Sequence, residues 1–331
     1  MGRPIFRRPM ELRATVHRGV GDKEHDNEHD KEHDNENDKG HRHRRGTMGK
    51  LDGKVALITG GARGQGRSHA LALAHEGCDI AFCDISEPVK TTLYRTATEE
   101  DRIETQKLVS ETGRRCVAVE ADVRDRPAMK AFVARTIDEL GPIDIVLANA
   151  GITAFAPAWE TPYEMWDETI DICLNGVWNT CREVMPSMVE RRRGTIVITS
   201  SNAGLTPIPN VAPYVAAKHG ITGLMKVLAV ELAPFDIRVN AVHPCGVATD
   251  LVLNQPGLDL FAGKEGATFE DAEAGMKSLN LLDVALIQPQ DVSEAILYLV
   301  SDAARYVTGL SLTVDAGTTI CPPGSFRGWE A

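Results

Sequence analysis

No stretch of this 331-residue chain is apolar for the length a bilayer span requires, and nothing near its start has the apolar core of a secretory signal. Neither a membrane protein nor an exported one is expected. Positive charge is in deficit: 36 Lys and Arg against 47 Asp and Glu leave a formal net charge of −11. An acidic surface repels phosphate backbones, so nucleic acid is not an expected partner. A cysteine framework is missing too. Cys78, Cys83, Cys116, Cys173, Cys181, Cys245 and Cys321 are odd in number, with no Cys-x-x-Cys and no zinc-like spacing. They read as reduced thiols of a cytoplasmic protein, several inside apolar runs, and no metal site is expected.

What is present is globular material. With 43% hydrophobic and 25% charged residues, the chain can bury one large core. Residues 1–47 are set apart from it. From Asp22 to Asp38 nearly every residue is Asp, Glu, His, Asn or Lys, in a near-repeat of His-Asp-Asn-Glu, and His41 to Arg45 is a short basic patch. Lacking apolar side chains to offset its ordering entropy, this extension is expected to be disordered. It reads as a solvated tail, or as a translated upstream region whose natural start is Met48; a metal- or nucleic-acid-binding tail is the less favoured reading. Residues 48–331 form the folded domain.

Lys54 to Thr59 is a short β-branched apolar run, as in buried parallel strands. Gly60-Gly-Ala-Arg-Gly-Gln-Gly66 follows, and then helical periodicity from Arg67 to Gly77. Strand, glycine-rich turn and helix in this order form a phosphate-binding unit, with Gly60, Gly64, Gln65 and Gly66 at the turn. The second strand, Asp79 to Asp84, ends in a carboxylate that can accept bonds from ribose hydroxyls and repel a 2′-phosphate, favouring NAD over NADP. Arg63 pulls the other way, since a guanidinium there can reach a 2′-phosphate.

Ile85 to Ile103 is a long polar connection carrying Tyr94, followed by a helix to about Thr112. A third strand runs from Arg115 to Ala121 and meets Asp122-Val123, where the carboxylate can face the adenine amino group. After a helix over about 127–140, a fourth strand, Ile143 to Ala148, leads into Asn149-Ala-Gly151. One long helix is expected from Thr161 to about Arg192, with Asn175 in its middle, where asparagine is a poor helix former. A strand from Asp236 to Val242, an irregular and mobile segment from Leu251 to Leu282, a helix from Gln290 to Asp302 and a strand from Leu310 to Val314 complete the chain. Alternating strands and helices predict an α/β fold: a single doubly wound parallel sheet, Rossmann-like, with helices on both faces.

The chemistry is expected between Ser200 and Lys218. Tyr214 and Lys218 stand four apart at the start of a helical segment and share one face. An ammonium beside a phenol favours the phenolate, so Tyr214 is expected to have a lowered pKa and to act as general acid and base. Ser201, just past the strand 195–199, can hydrogen-bond a substrate oxygen.

Thr59-Gly-Gly-Ala-Arg-Gly-Gln-Gly66, Asp122-Val123, Asn149-Ala-Gly151, Asn175, Ser201, Tyr214-x-x-x-Lys218 and Pro244-x-Gly246 together resemble the short-chain dehydrogenase/reductase family, over nearly all of residues 50–317. The resemblance implies that Tyr214 is the acid/base, that Lys218 lowers its pKa and binds the nicotinamide ribose, that Ser201 holds the substrate oxygen, and that Asn175 keeps a water in the proton relay. Gly60, Arg63, Gly64, Gln65, Gly66, Asp84, Asp122, Val123, Asn149, Gly151, Val247 and Thr249, with Tyr214 and Lys218, would bind the cofactor, NAD. Two departures stand out: Ala148 where the family has a first Asn, and Cys245 inside the Pro-Gly motif. The glycine turn, the insertion with Tyr94 and the His-Pro-x-Gly-Val segment are similar to the carveol dehydrogenase-like, mycofactocin-coupled branch. That implies oxidation of a hydrophobic secondary alcohol, terpenoid in kind, on tightly held NAD that mycofactocin reoxidises, in a homotetramer. Two rivals remain: an NADP-linked 3-oxoacyl reductase, and a non-catalytic dinucleotide-binding redox sensor.

Overall fold

The computed structural model describes residues 49–321; the expectation made above for residues 1–47 lies outside them. Each short β-branched run forms a buried strand: β1 Val55–Thr59, β2 Asp79–Asp84, β3 Cys116–Glu120, β4 Ile145–Ala148, β5 Gly194–Thr199, β6 Ile237–Pro244 and β7 Ser311–Val314. All pair in parallel, in the order β3-β2-β1-β4-β5-β6-β7. Parallel pairing needs crossovers, and helices supply them. They are α1 Gly64–His75, α2 Glu99–Glu111, α3 Arg126–Leu140, α4 Tyr163–Ile170, α5 Gly176–Arg191, α6 Ala212–Leu232, α7 Gln255–Ala262, α8 Phe269–Lys277 and α9 Pro289–Val300.

The two faces of the sheet carry separate apolar layers. Met129, Phe132, Val184, Met188, Ile221 and Met225 from α3, α5 and α6 pack on one. Leu73, Val109, Val292 and Ile296 from α1, α2 and α9 pack on the other. Burial on both sides explains why β1 and β4 read as continuous apolar runs instead of alternating ones. Truncating a fully buried aromatic such as Phe82 or Phe132 to alanine would cost about 3–5 kcal/mol.

From β1 the chain works outward to β3, then crosses back so that β4 lies on the other side of β1. Ile58 pairs with Phe82 on one flank and Leu147 on the other, so the three strands end nearly level. Such a reversal leaves a crevice outside the carboxyl ends of the strands, where ligands of this architecture bind.

One expectation needs refinement and another correction. The long helix expected over 161–192 runs unbroken from Tyr163 to Arg191, but Asp171–Asn175 forms a π-turn within it, between α4 and α5. The segment 251–282 is not irregular. Asn254 caps α7 by accepting the Gly257 N–H at 3.0 Å, and Thr268 and Asp271 form a capping box on α8. The two helices bury Ala272 and Met276 against Leu258 and Phe261 in a small cluster of their own. Among the described residues no helix is long and apolar enough to cross a membrane.

Candidate active site

The turn after β1 lets the backbone run close to β4. Gly60 has φ +68, and a Cβ there would lie 2.8 Å from the Ala150 Cα. A Cβ on Gly66 would lie 1.9 Å from the Gly60 carbonyl oxygen, so α1 can begin inside the turn only with glycine there. Helix α1 therefore starts at Gly64, three residues earlier than its periodicity suggests. Its N-cap, Arg63, makes no side-chain cap bond, which leaves first-turn N–H groups for an anion.

A cleft of about 910 Å³, open at its mouth, follows from this geometry. Gly60, Arg63, Gly64, Gln65, Gly66, Asp84, Asp122, Val123, Asn149, Gly151 and Thr249 all line it, together with Tyr94. Asn149 stitches its floor, donating from Nδ2 to the carbonyls of Thr59 (3.1 Å) and Gly60 (3.2 Å) and accepting from Thr199 Oγ1 at 3.3 Å. Val247 lies in the adjoining pocket. At the far end the Asp122 carboxylate is paired with Arg124 at 2.6 Å. The Asp84 carboxyl accepts the N–H groups of Ala62 and Ile85, each at 2.9 Å, and burial raises its pKa to about 6. Arg63 is already committed: its guanidinium pairs with Asp250 and donates to the carbonyls of Arg95 and of Thr96, the latter at 3.1 Å.

Those last contacts belong to the insertion after β2, which is fastened as a strap. Thr91 donates from N (3.1 Å) and Oγ1 (2.7 Å) to Glu168 on α4. Tyr94 Oη accepts the Thr153 N–H at 3.2 Å. Val89 and Ala97 are buried, one against each apolar layer. The strap thus bridges the glycine turn, the segment after β4, helix α4 and the segment after β6.

The adjoining pocket, about 450 Å³, gathers Ser201, Tyr214 and Lys218 with Cys245, Val247, Leu251 and Val252. Ser201 Oγ accepts the Ala203 N–H at 3.1 Å and donates to Asn202 Oδ1 at 2.9 Å. Lys218 is 2% exposed; its Nζ donates to the Thr199 carbonyl at 2.8 Å and stands 5.3 Å from the centre of the Tyr214 ring. The expected lowering of the Tyr214 pKa is absent. Burial pushes the phenol well above its ordinary value, and Ser201 pulls it down only in part. Burial also lowers Lys218.

Asn175 is not brought to this pocket. Its side chain is exposed and donates from Nδ2 to Asp171 Oδ1 at 2.7 Å, so the relay role expected of it is not supported. The π-turn presents Cys173 to the interior instead. The fully buried Sγ accepts the Ile152 N–H and donates to the Ile152 carbonyl, both at 3.3 Å. A Cβ placed on Gly151 would lie 3.6 Å from both Cys173 Sγ and Lys218 Nζ, which puts the thiol close to the ammonium. In the sequence, Cys173 looks like any buried cysteine between Ile172 and Leu174; the backbone irregularity that aims it has no residue signature. Tyr94 and His243, whose ring packs under Ser201, also escaped assignment to the site.

The profile described as short chain dehydrogenase matches residues 54–256. A (−)-trans-carveol dehydrogenase of Rhodococcus erythropolis is 44% identical over 277 residues, 82% of this chain and 100% of that protein. The crystal structure of a carveol dehydrogenase from Mycobacterium avium in complex with NAD superposes with a TM-score of 0.81 at 44% identity, covering 82% of this chain and 99% of its own. That of a short chain dehydrogenase from Mycobacterium paratuberculosis bound to NAD has a TM-score of 0.74 at 36% identity, covering 82% and 100%.

Proposed function

Because this chain belongs to the short-chain dehydrogenase family, we propose that it is an NAD-dependent oxidoreductase that interconverts a hydrophobic secondary alcohol, terpenoid and carveol-like in kind, and its ketone. The observation that carries this reading is the meeting of Ser201, Tyr214 and Lys218 in one pocket opening beside the glycine-lined cleft. A purely regulatory dinucleotide sensor has no need of such a set.

The cleft fits a dinucleotide. Gly60 and Gly66 leave room where any side chain would collide, the start of α1 offers N–H groups to a pyrophosphate, and Asp84 offers a carboxylate to ribose hydroxyls. Arg63, held by Asp250 and the strap, is not free to welcome a 2′-phosphate, which favours NAD over NADP. Bound NAD supplies the hydride acceptor. The chain's own groups handle the proton and the positioning: Ser201 Oγ hydrogen-bonds the substrate oxygen, and Tyr214 Oη exchanges the hydroxyl proton. Lys218, anchored on Thr199, offsets negative charge as the phenol loses its proton. Val247, Leu251 and Val252, backed by α7 and α8, give the substrate an apolar wall.

The strap supports the finer part of the reading, NAD held through many turnovers and reoxidised in place by mycofactocin. Half-exposed Trp178 and more open Val227 and Val230 on α5 and α6 support association as a homotetramer. The test is to denature the purified full chain and measure released NAD, while assaying carveol oxidation with added NAD and, separately, with an artificial electron acceptor. Near-stoichiometric NAD and turnover only with the acceptor are expected. An empty protein that turns over freely on added NAD would refute tight retention; no oxidation of carveol or related alcohols under either condition would refute the substrate class.

A further inference from the structure

Strand β6 outlasts its neighbour β5. Thr199, the last residue of β5, pairs with Val242, and the chain then leaves the sheet through Ser200 and Ser201. His243 is the next residue of β6, so it stands beside the departing segment. Side chains alternate along a strand, and Ala241 packs in the layer that contains α6. His243 is therefore directed to the same face, the one that carries Tyr214 and Lys218. It is fully buried.

Its Nδ1 lies 2.8 Å from the Ser201 carbonyl oxygen. A carbonyl only accepts, so Nδ1 carries the proton and donates. Nε2, buried as well, meets no hydrogen-bond partner among the described residues. The same carbonyl accepts the Gly204 N–H at 2.9 Å. Two donors thus clamp the peptide that follows Ser201, while Ser201 Oγ is held by Ala203 N–H and Asn202 Oδ1.

A leucine would fill the same volume without burying two ring nitrogens, one of them unpaired, and such burial costs free energy that only a specific bond offsets. We infer that His243 is a positioning residue for the proposed reaction: its Nδ1–H fixes the Ser201 peptide and so aims the Ser201 hydroxyl at the substrate oxygen. The assignment rests on the oxidoreductase reading for its kinetic consequence but not for its chemical state. Neutral imidazole in water favours the Nε2–H form; this site demands the other tautomer.

Two measurements test it. Nitrogen-15 NMR of the histidine-labelled full chain, with His243 assigned by its loss in His243→Asn, should show the neutral Nδ1–H tautomer whether or not any alcohol is turned over. An Nε2–H tautomer or an imidazolium at neutral pH would overturn the inference. In the acceptor-coupled alcohol assay, His243→Leu should lower kcat by about 10- to 100-fold with KM little changed, the scale of one misaligned hydrogen-bond donor. His243→Asn, whose amide nitrogen falls near the Nδ1 position, should recover most of that loss. In a Ser201→Ala background His243→Leu should add less than about twofold, because the two act through one atom. An equal defect in the Asn and Leu variants, or an undiminished effect without Ser201, would refute it. If His243→Leu does not fold, His243→Gln, which moves the amide nitrogen one bond outward, replaces it in both comparisons. A protein inactive toward every alcohol would remove the oxidoreductase reading, and the tautomer would still decide the clamp.

Discussion

The thiol of Cys173 is bonded to both backbone polar groups of Ile152, taking its N–H and giving to its carbonyl, each across 3.3 Å. The bond pair ties the π-turn to the segment that leads from Gly151 to Thr153, whose N–H in turn holds Tyr94. Cys173→Ala should leave two buried backbone groups unpaired and cost about 1–3 kcal/mol. Thermal melting should record the loss. Cys173→Asn, whose amide both accepts and donates, should recover part of it; equal melting of the parent and the alanine variant would reduce the thiol to mere filler.

Tyr214→Phe should leave NAD binding within about twofold while lowering turnover by about 10³-fold, within the range for one general acid–base group. Burial raises the parent phenol, so the phenolate needed for alcohol oxidation is scarce at neutral pH and grows as pH rises. Oxidation should accelerate steadily from pH 7 to 9. A profile flat across that window, measured with saturating alcohol, would mean that another group takes the proton.

The strap can be loosened from either end. Asp250→Asn weakens the pair with Arg63, and Tyr94→Phe removes the acceptor for Thr153 N–H. Each should speed NAD loss during gel filtration by about tenfold, the effect of roughly 1.4 kcal/mol. Unchanged retention in the double variant would show that the strap does not hold the cofactor.

Asp84 links cofactor affinity to pH. Its carboxyl, raised to about 6 by burial, is protonated below that pH and ionised above it. Ribose hydroxyl donors favour the ionised form, so affinity for NAD should be full above pH 6 and fall by up to about tenfold per unit as pH drops through 6. Stability of the uncomplexed chain moves the opposite way, because a raised carboxyl favours the fold below its ordinary value of 3.8 and loses that contribution as pH climbs through about 6. Titration calorimetry at several pH values checks the first, and Asp84→Asn should flatten it.

Much of this could be read from residue order. Strand, glycine turn and helix are local patterns, and so is the i, i+4 placement of Tyr214 and Lys218 on α6; each survives into the structure because its meaning depends on near neighbours. What could not be read depends on contacts far along the chain. Asn175 drew attention as a misfit in a helix, yet the π-turn rotates it to solvent and turns Cys173 inward. Tyr94 reaches Thr153 across 59 positions and His243 reaches Ser201 across 42, and no spacing announces either. The phenol's raised pKa likewise comes from burial, a property of the assembled fold. The caps of α7 and α8, Asn254 and Thr268, were legible; the leucine and glycine content of the segment hid them.

The strap is fastened to four separated stretches of chain, so release of a cofactor held beneath it, as proposed, would be a local unfolding event in which the attachments open together before the ligand leaves. NAD would then escape no faster than the strap opens, and a cofactor acquired while the chain folds would be slow to leave. A protein that retains NAD as proposed would be indifferent to the cellular ratio of oxidised to reduced NAD, and its turnover would answer to whatever can reach the reduced cofactor where it sits.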